Sequence, residues 1–256
     1  MKILLWNING IRAIIKKKVK DELTFEEYLT STNSDIICFN ETKISSNLIH
    51  TINILELYPY VYHSHSEIKK GYSGVSIYSK IKPNKQTSIH NDEGRLIVLE
   101  FDKFILVNVY QPNAGSKLAR LNYRTDIWDN YFINLIKKLQ KKNNVIIVGD
   151  MNVAHTEMDI KNPDKHLHSA GFTIEERNNF NTLLDSNNLI DAWRHNHPHT
   201  IAYTYFDYRS RARERNSGWR LDYLLTSEKI LKKIKKIYID NIFGSDHLPL
   251  ITDIDI

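Results

Sequence analysis

Several short apolar runs of this 256-residue sequence end in side chains that can do chemistry. KILLW runs into Asn7-Ile8-Asn9, IICFN into Glu41, ILVNV into Tyr110, and IIVG into Asp150-Met151-Asn152. Asp222 belongs to the run around Leu221, and Ser245-Asp246-His247 stands at the mouth of the last apolar run. One acid after a strand is an ordinary turn residue. Repetition at one kind of place describes a site assembled by the loops at one end of a sheet. Carboxylates and amide oxygens, without Cys or clustered His, suit a hard cation such as Mg²⁺, which keeps several waters and binds through few carboxylates plus a substrate phosphate. Hydrolytic phosphoryl transfer needs that ion, a water activator, a donor to developing charge and a phosphate anchor. Glu41, Asp150, His247, Asn152 and Tyr110 are of the types that fill those roles.

These residues need a scaffold that ends its strands together. KILLWN, DIICFNE, ILVNVY and NVIIVGDMN are apolar on consecutive positions, which suits strands covered on both faces. Thr24 with Glu27 and Thr173 with Glu176 fit capping boxes, and apolar spacing predicts a helix from Lys117 to Lys142. Residues 71 to 110 hold strand patterns separated by turns and no helix signal, so antiparallel neighbours are expected there. The expectation is an α/β fold with mixed sheets and outer helices.

No linker, repeat or low-complexity tract divides the chain, and residues 1–256 read as one domain. The net charge of +5 permits a polyanionic partner without demanding one. Cys38, the one cysteine, sits in an apolar run; it excludes an internal disulfide and fits a reducing compartment. Asn and Gly interrupt MKILLWNING before a signal-peptide core forms, and no apolar run approaches the ~20 residues of a membrane span. A soluble, intracellular protein is expected.

The segments WNINGIRA, NETKI, VYQPNAG, GDMNVAH, GWRLDYLL and GSDHLPL resemble, in order, the motifs of the exonuclease III family of apurinic/apyrimidinic (AP) endonucleases, which repair abasic DNA. GYSGV, EGR and AGFTIEER add to a resemblance that runs from Lys2 to the last strand. It implies a four-layer α/β sandwich, two mixed sheets face to face with helices outside, as in DNase I. It implies that Glu41 is the principal Mg²⁺ ligand, with Asn7, Asn9 and Asp246 in the metal environment and Mn²⁺ as a substitute. Asp150 would orient or deprotonate the attacking water, Asn152 would help to hold water and phosphate, and Tyr110 would contact the phosphate. Asp222 would fix the tautomer of His247, which acts as base or as stabiliser of the transition state.

The implied reaction is hydrolysis of the phosphodiester 5′ to an abasic site, leaving a 3′-hydroxyl and a 5′-deoxyribose phosphate. Removal of 3′ blocking groups and 3′→5′ exonuclease action accompany it. The implied partner is double-stranded DNA with abasic sites or blocked 3′ ends, bound by a monomer in the cytoplasm or nucleoid of a bacterium or the nucleus of a eukaryote. Two departures stand out: Asn9 replaces the Asp of animal members, and Ser116 replaces an Arg that penetrates the helix.

The loop YTYFDYRSRARERNSGWRLD offers aromatic Tyr205, Phe206 and Trp219, apolar Leu221, and basic Arg209, Arg211, Arg213, Arg215 and Arg220. By resemblance, Tyr205, Trp219 and Leu221 line the pocket for the base-less sugar, Arg209 inserts near the lesion, and Arg12 and Asn113 touch DNA. Lys16-Lys17-Lys18 read as a helix face that can add phosphate contacts. His195-Asn196-His197-Pro198-His199 alternates, but no Cys partner or H-E-x-x-H spacing supports zinc. Rival readings are another phosphoesterase of the same superfold, such as a DNase I-like nuclease or a lipid phosphatase, and a silent DNA-binding relative. GWRLDY and PNAG weigh against the first; the intact set Glu41, Asp150, Asn152, Asp222 and His247 weighs against the second.

Overall fold

The computed structural model describes residues 1–51, 56–87, 89 and 92–256. Its strands, in chain order, are β1 (Lys2–Asn7), β2 (Lys18–Lys20), β3 (Leu23–Thr24), β4 (Ile36–Asn40), β5 (Tyr60–Ser64), β6 (Val75–Ser79), β7 (Lys85–Thr87), β8 (Leu96–Glu100), β9 (Ile105–Tyr110), β10 (Val145–Asp150), β11 (Ile190–Asp191), β12 (Asp222–Thr226), β13 (Ile234–Ile239) and β14 (Leu250–Ile254). Two six-stranded sheets result, ordered β13-β14-β1-β4-β6-β5 and β11-β12-β10-β9-β8-β7. Within them β1 runs parallel to β4 and β10 parallel to β9, while the other pairs are antiparallel.

The continuous apolar runs serve two cores at once, because successive side chains of a strand point to opposite faces. Ile3, Leu5, Ile36 and Cys38 of one sheet meet Leu106, Ile146, Val148 and Leu224 of the other in a central core. The alternate residues Leu4, Trp6, Ile37 and Phe39 pack outward on Phe25, Tyr28 and Leu29, which come from the helix that follows β3. On the far side Val107, Val109, Ile147 and Leu225 receive Phe132, Ile136, Phe180 and Leu183. Helix, sheet, sheet, helix is the four-layer α/β sandwich expected.

The helices are α1 (Ile11–Ile14), α2 (Phe25–Ser31), α3 (Asn130–Gln140), α4 (Ile174–Ser186), α5 (Ala192–Asn196) and α6 (Glu228–Leu231), with short 3₁₀ and π turns elsewhere. Both capping boxes form, Thr24 with Glu27 on α2 and Thr173 with Glu176 on α4. Two expectations are corrected. The helix read from Lys117 to Lys142 is a 3₁₀ turn at Ser116–Leu118, a π-helical segment at Tyr123–Asp129, and then α3. The wide π turn brings Arg124 inward, where it donates to the carbonyls of Pro112 at 2.7 Å and Met151 at 2.8 Å and pairs with Asp129. Lys16-Lys17-Lys18 form no helix face, because α1 ends at Ile14 and Lys18 opens β2. Among the described residues no helix is long and apolar enough to cross a membrane.

Strand pairing fixes where the site lies. Asn7 stands opposite Asn40, and Asp150 opposite both Tyr110 and Asp222. A buried polar bridge between the sheets sets them level: the Asn40 amide donates to Asn108 at 2.7 Å and its oxygen accepts the Asp150 N–H at 2.7 Å.

Candidate active site

Just past the strand ends the backbone turns out of the sheets. Asn9, Glu41 and Asn152 adopt left-handed φ values of 47°, 50° and 48°. Asn tolerates this region, whereas for Glu41 it costs about 1–2 kcal/mol. The turn is held by the Ile8 N–H on the Asn40 carbonyl at 3.0 Å and the Gly10 N–H on the Glu41 carbonyl at 2.7 Å. Strain at these positions aims the side chains at one cleft.

Glu41 Oε1 accepts from the Tyr110 hydroxyl at 2.7 Å and from the Asn7 amide at 3.2 Å. Its Oε2 pairs with Lys43 Nζ at 2.9 Å, and the same ammonium donates to Asn9 Oδ1. The Asn9 amide in turn donates to Asp246 Oδ2 at 2.9 Å. Burial works against ionisation of Glu41, but Lys43 and the Tyr110 phenol outweigh it and hold its pKa below the usual carboxylate value. Burial, Glu41 and Asp150 push the Tyr110 phenol well up, so it serves as a donor.

Asp150 is buried, with Oδ1 accepting the Asn152 N–H at 2.8 Å and Oδ2 accepting the Asn7 amide at 2.9 Å. His247 lies between two carboxylates, with Nδ1 at 2.8 Å from Asp222 and Nε2 at 3.7 Å from Asp150. Burial raises the Asp150 pKa against the pull of His247. For His247 burial lowers it, but Asp222 and Asp150 prevail and raise it above the ordinary imidazole value. His247 and Asp150 therefore hold protons more tightly than free side chains would. The His247 backbone is fixed as well: its carbonyl accepts from the Trp6 indole at 2.9 Å, and its N–H donates to Ser245 Oγ at 3.2 Å.

These groups floor a cleft of about 580 Å³. Asn113, which donates to Asn152 Oδ1 at 2.9 Å, and Tyr205, Trp219 and Leu221 form its walls. Tyr205 lies against His247 with ring centroids 4.9 Å apart. Asn7 belongs to the cluster through its bonds to Glu41 and Asp150, and Asp222 supports His247 from behind.

Other residues read from the sequence lie elsewhere. Arg12 and Arg209 are exposed and off the cleft wall. Arg220 is no solvent-facing base; fully buried, its Nε meets Asp159 at 2.7 Å and its Nη2 meets Asp191 at 2.7 Å. Phe206 is buried beside Tyr203 rather than on the wall. His197 stacks on Trp193, with Nε2 at 3.0 Å from the Ile237 carbonyl.

Several residues of the site went unread. Lys43 had only its place in NETKI as a signal. Arg95, from EGR, lies buried under Tyr110, its guanidinium 4.8 Å from the ring centre and donating to the Tyr110 carbonyl at 3.2 Å. His166 and Ser169 share the cleft wall, and His166 stacks edge-on to Trp219 at 5.0 Å.

Residues 4–247 match the endonuclease/exonuclease/phosphatase family. The chain belongs to this family. Its relatives include an exodeoxyribonuclease of Bacillus subtilis, 38% identical with 98% of each chain covered. A DNA-(apurinic or apyrimidinic site) endonuclease of Dictyostelium discoideum is 39% identical over 100% of this chain and 71% of its own length. The solved AP endonuclease of Archaeoglobus fulgidus superposes with a TM-score of 0.85 at 29% identity, covering 100% of both chains.

Endonuclease/exonuclease/phosphatase members are metal-dependent nucleases and phosphatases. The donor set here fits a hard cation: oxygen atoms of Glu41, Asn9 and Asp246 gather at one place, and an ammonium already bridges Glu41 and Asn9. Among the described residues no three His, Cys, Asp or Glu side chains form a cage of their own. Such a set suits an ion that keeps water and takes substrate oxygens to complete its shell.

Proposed function

We propose that the chain is a Mg²⁺-dependent AP endonuclease of base excision repair that hydrolyses the phosphodiester 5′ to an abasic site, with accompanying 3′-phosphodiesterase and 3′→5′ exonuclease activity. What carries the reading is one juxtaposition: His247, hydrogen-bonded to Asp222 and 3.7 Å from Asp150, faces the Glu41–Asn9–Asp246 oxygens across a cleft walled by Tyr205, Trp219 and Leu221. The relatives named as AP endonucleases and exodeoxyribonucleases support it.

In this mechanism Glu41, with Asn9, Asp246 and the neighbouring Asn7, would hold Mg²⁺ or Mn²⁺, which supplies positive charge to the phosphate oxygens. Asp150, fixed by Asn7 and the Asn152 N–H, orients the water and takes its proton as the water oxygen attacks phosphorus. Asn152, held by the Gln111 carbonyl at 2.8 Å and by Asn113, contacts water and phosphate. The Tyr110 phenol and His247 donate to the charge that builds on the phosphoryl oxygens. The bond to the upstream 3′-oxygen breaks, that oxygen gains a proton, and the phosphate stays on the base-less sugar. Tyr205, Trp219 and Leu221 admit a sugar and press against a nucleotide that keeps its base. Arg12 and Arg209 lie outside the cleft where they meet the duplex. The chain acts as a monomer, one domain over residues 1–256, inside the cell on DNA with abasic sites or blocked 3′ ends.

A labelled duplex with a single tetrahydrofuran abasic analogue tests the reading against an undamaged duplex, with Mg²⁺ or with chelator. Incision just 5′ to the analogue, Mg²⁺-dependent and sparing undamaged DNA, is the expected result. Degradation of undamaged DNA with the analogue left intact would overturn the specificity.

A further inference from the structure

A second cleft, of about 380 Å³, opens beside the first and shares Asp207, Ala212 and Asp246 with it. Its walls are aromatic and cationic: Tyr208, Phe243, Arg211 and Arg213. Phe243 leaves 66% of its surface in solvent and Tyr208 53%, although a Phe side chain gains stability by burial. Phe243 is also held where it is. Its N–H donates to the Val19 carbonyl at 2.7 Å, and the next carbonyl, of Gly244, accepts from Lys17 Nζ at 2.7 Å. Gly244 has a φ of +107°, and a Cβ there would lie 2.8 Å from Val19 Cγ1, so only glycine lets the turn pack this closely. The ring is presented on a braced turn directly before Ser245-Asp246-His247.

The geometry points to a nucleobase subsite: a base of the DNA beside the cleaved phosphodiester leaves its stack and lies on Phe243. The Arg213 guanidinium, 4.3 Å from the Phe243 ring centre, and the Lys17 ammonium, 5.9 Å from that of Tyr208, mark the two faces as electron-rich surfaces accepting flat or cationic partners. Stacking on exposed aromatic rings is how proteins hold unpaired bases without reading their sequence. The rim favours a neutral ring over a second phosphate. Beside Arg211 and Arg213 stand Glu214, Asp246 and Asp207, the last already accepting the N–H groups of Arg209 and Ser210. Because the two clefts share walls, the strand that places its phosphate at Asp150 and His247 continues into the second. The subsite rests on the AP endonuclease reading.

Affinity measured in chelator tests it, with wild type, Phe243→Ala and Phe243→Tyr each bound to a duplex carrying the tetrahydrofuran analogue. A panel of duplexes then deletes one flanking base at a time. Phe243→Ala is expected to weaken binding about 5- to 150-fold, the range for one stacked base, and Phe243→Tyr to stay close to wild type. At one flanking position, deleting the base should weaken wild type by that same factor and leave Phe243→Ala unchanged. Equal losses in both proteins at every position, or wild-type affinity for Phe243→Ala, would overturn the subsite. Incision of the analogue by wild type in Mg²⁺ separates the two claims: incision with independent losses removes the subsite alone, whereas neither binding nor incision removes both.

Discussion

Arg220 and Asp222 lie two positions apart, yet they enter two buried charge clusters of opposite character. In the first, Asp159 receives Arg220 at 2.7 Å and Arg194 at 2.6 Å, and Arg220 also reaches Asp191 at 2.7 Å. Each carboxylate there faces a guanidinium, and the arginines offset the acids. In the second, Asp222, Asp150, Glu41 and Asp246 have, among the described residues, His247 and Lys43 paired against them, and the cluster opens on a cleft. A closed cluster has spent its charge on architecture. An acid-rich one facing a cleft retains negative charge for a cation and a proton site for a reaction.

The contrast breaks most sharply at His247. His247→Asn is expected to lower kcat about 10²- to 10⁴-fold, as loss of a positioned proton donor or acceptor does, with little change in DNA affinity. Single-turnover incision together with binding measured in chelator checks this; turnover near wild type would remove His247 from the chemistry.

Asp159 is the counterpart in the closed cluster. Asp159→Asn leaves Arg220 and Arg194 without their common partner and should destabilise the fold by ~3–5 kcal/mol in urea unfolding, while folded molecules keep their turnover. The sign of the pH effect follows from its pKa. Burial opposes ionisation, but Arg220 and Arg194 dominate and hold the carboxyl at about 2, below the ~3.9 of an unfolded Asp. Its contribution is therefore complete above the unfolded value and fades as pH falls through the folded one. The difference in stability between wild type and Asp159→Asn should shrink across that window, and a constant difference would contradict the assignment.

The smallest effect belongs to the exposed arginines. Arg209→Ala should weaken DNA binding modestly and reduce the slope of log affinity against log salt by ~1, without moving the unfolding midpoint. An unchanged slope would place Arg209 away from the phosphates.

What the sequence disclosed and what it withheld follow one physical line. Asn7, Glu41 and Asp150 were legible because a polar residue ending an apolar run is local information, and the strand pairing then brings those ends level; His247 was legible as a polar residue at the mouth of such a run. The layers were legible because strands apolar on both faces require cover on both. Lys43 was not, since its reach to Glu41 and Asn9 depends on left-handed φ values of 50° and 53° at Glu41 and Lys43 that no residue type announces. Arg220 was misread for the reverse reason: an arginine-rich loop looks solvated until Asp159 and Asp191 arrive from distant segments. Arg124 needed the π turn, which apolar spacing shows as ordinary helix.

The proposed division, chemistry in the open cluster and structure in the closed one, is decided by measuring kcat and urea stability side by side for Asp150→Asn and Asp159→Asn. Asp150 is disfavoured as a buried charge, so Asp150→Asn should unfold at or above the wild-type midpoint while losing orders of magnitude in turnover; Asp159→Asn should lose stability and keep turnover per folded molecule. A destabilised but active Asp150→Asn, or a stable but inactive Asp159→Asn, would contradict the account.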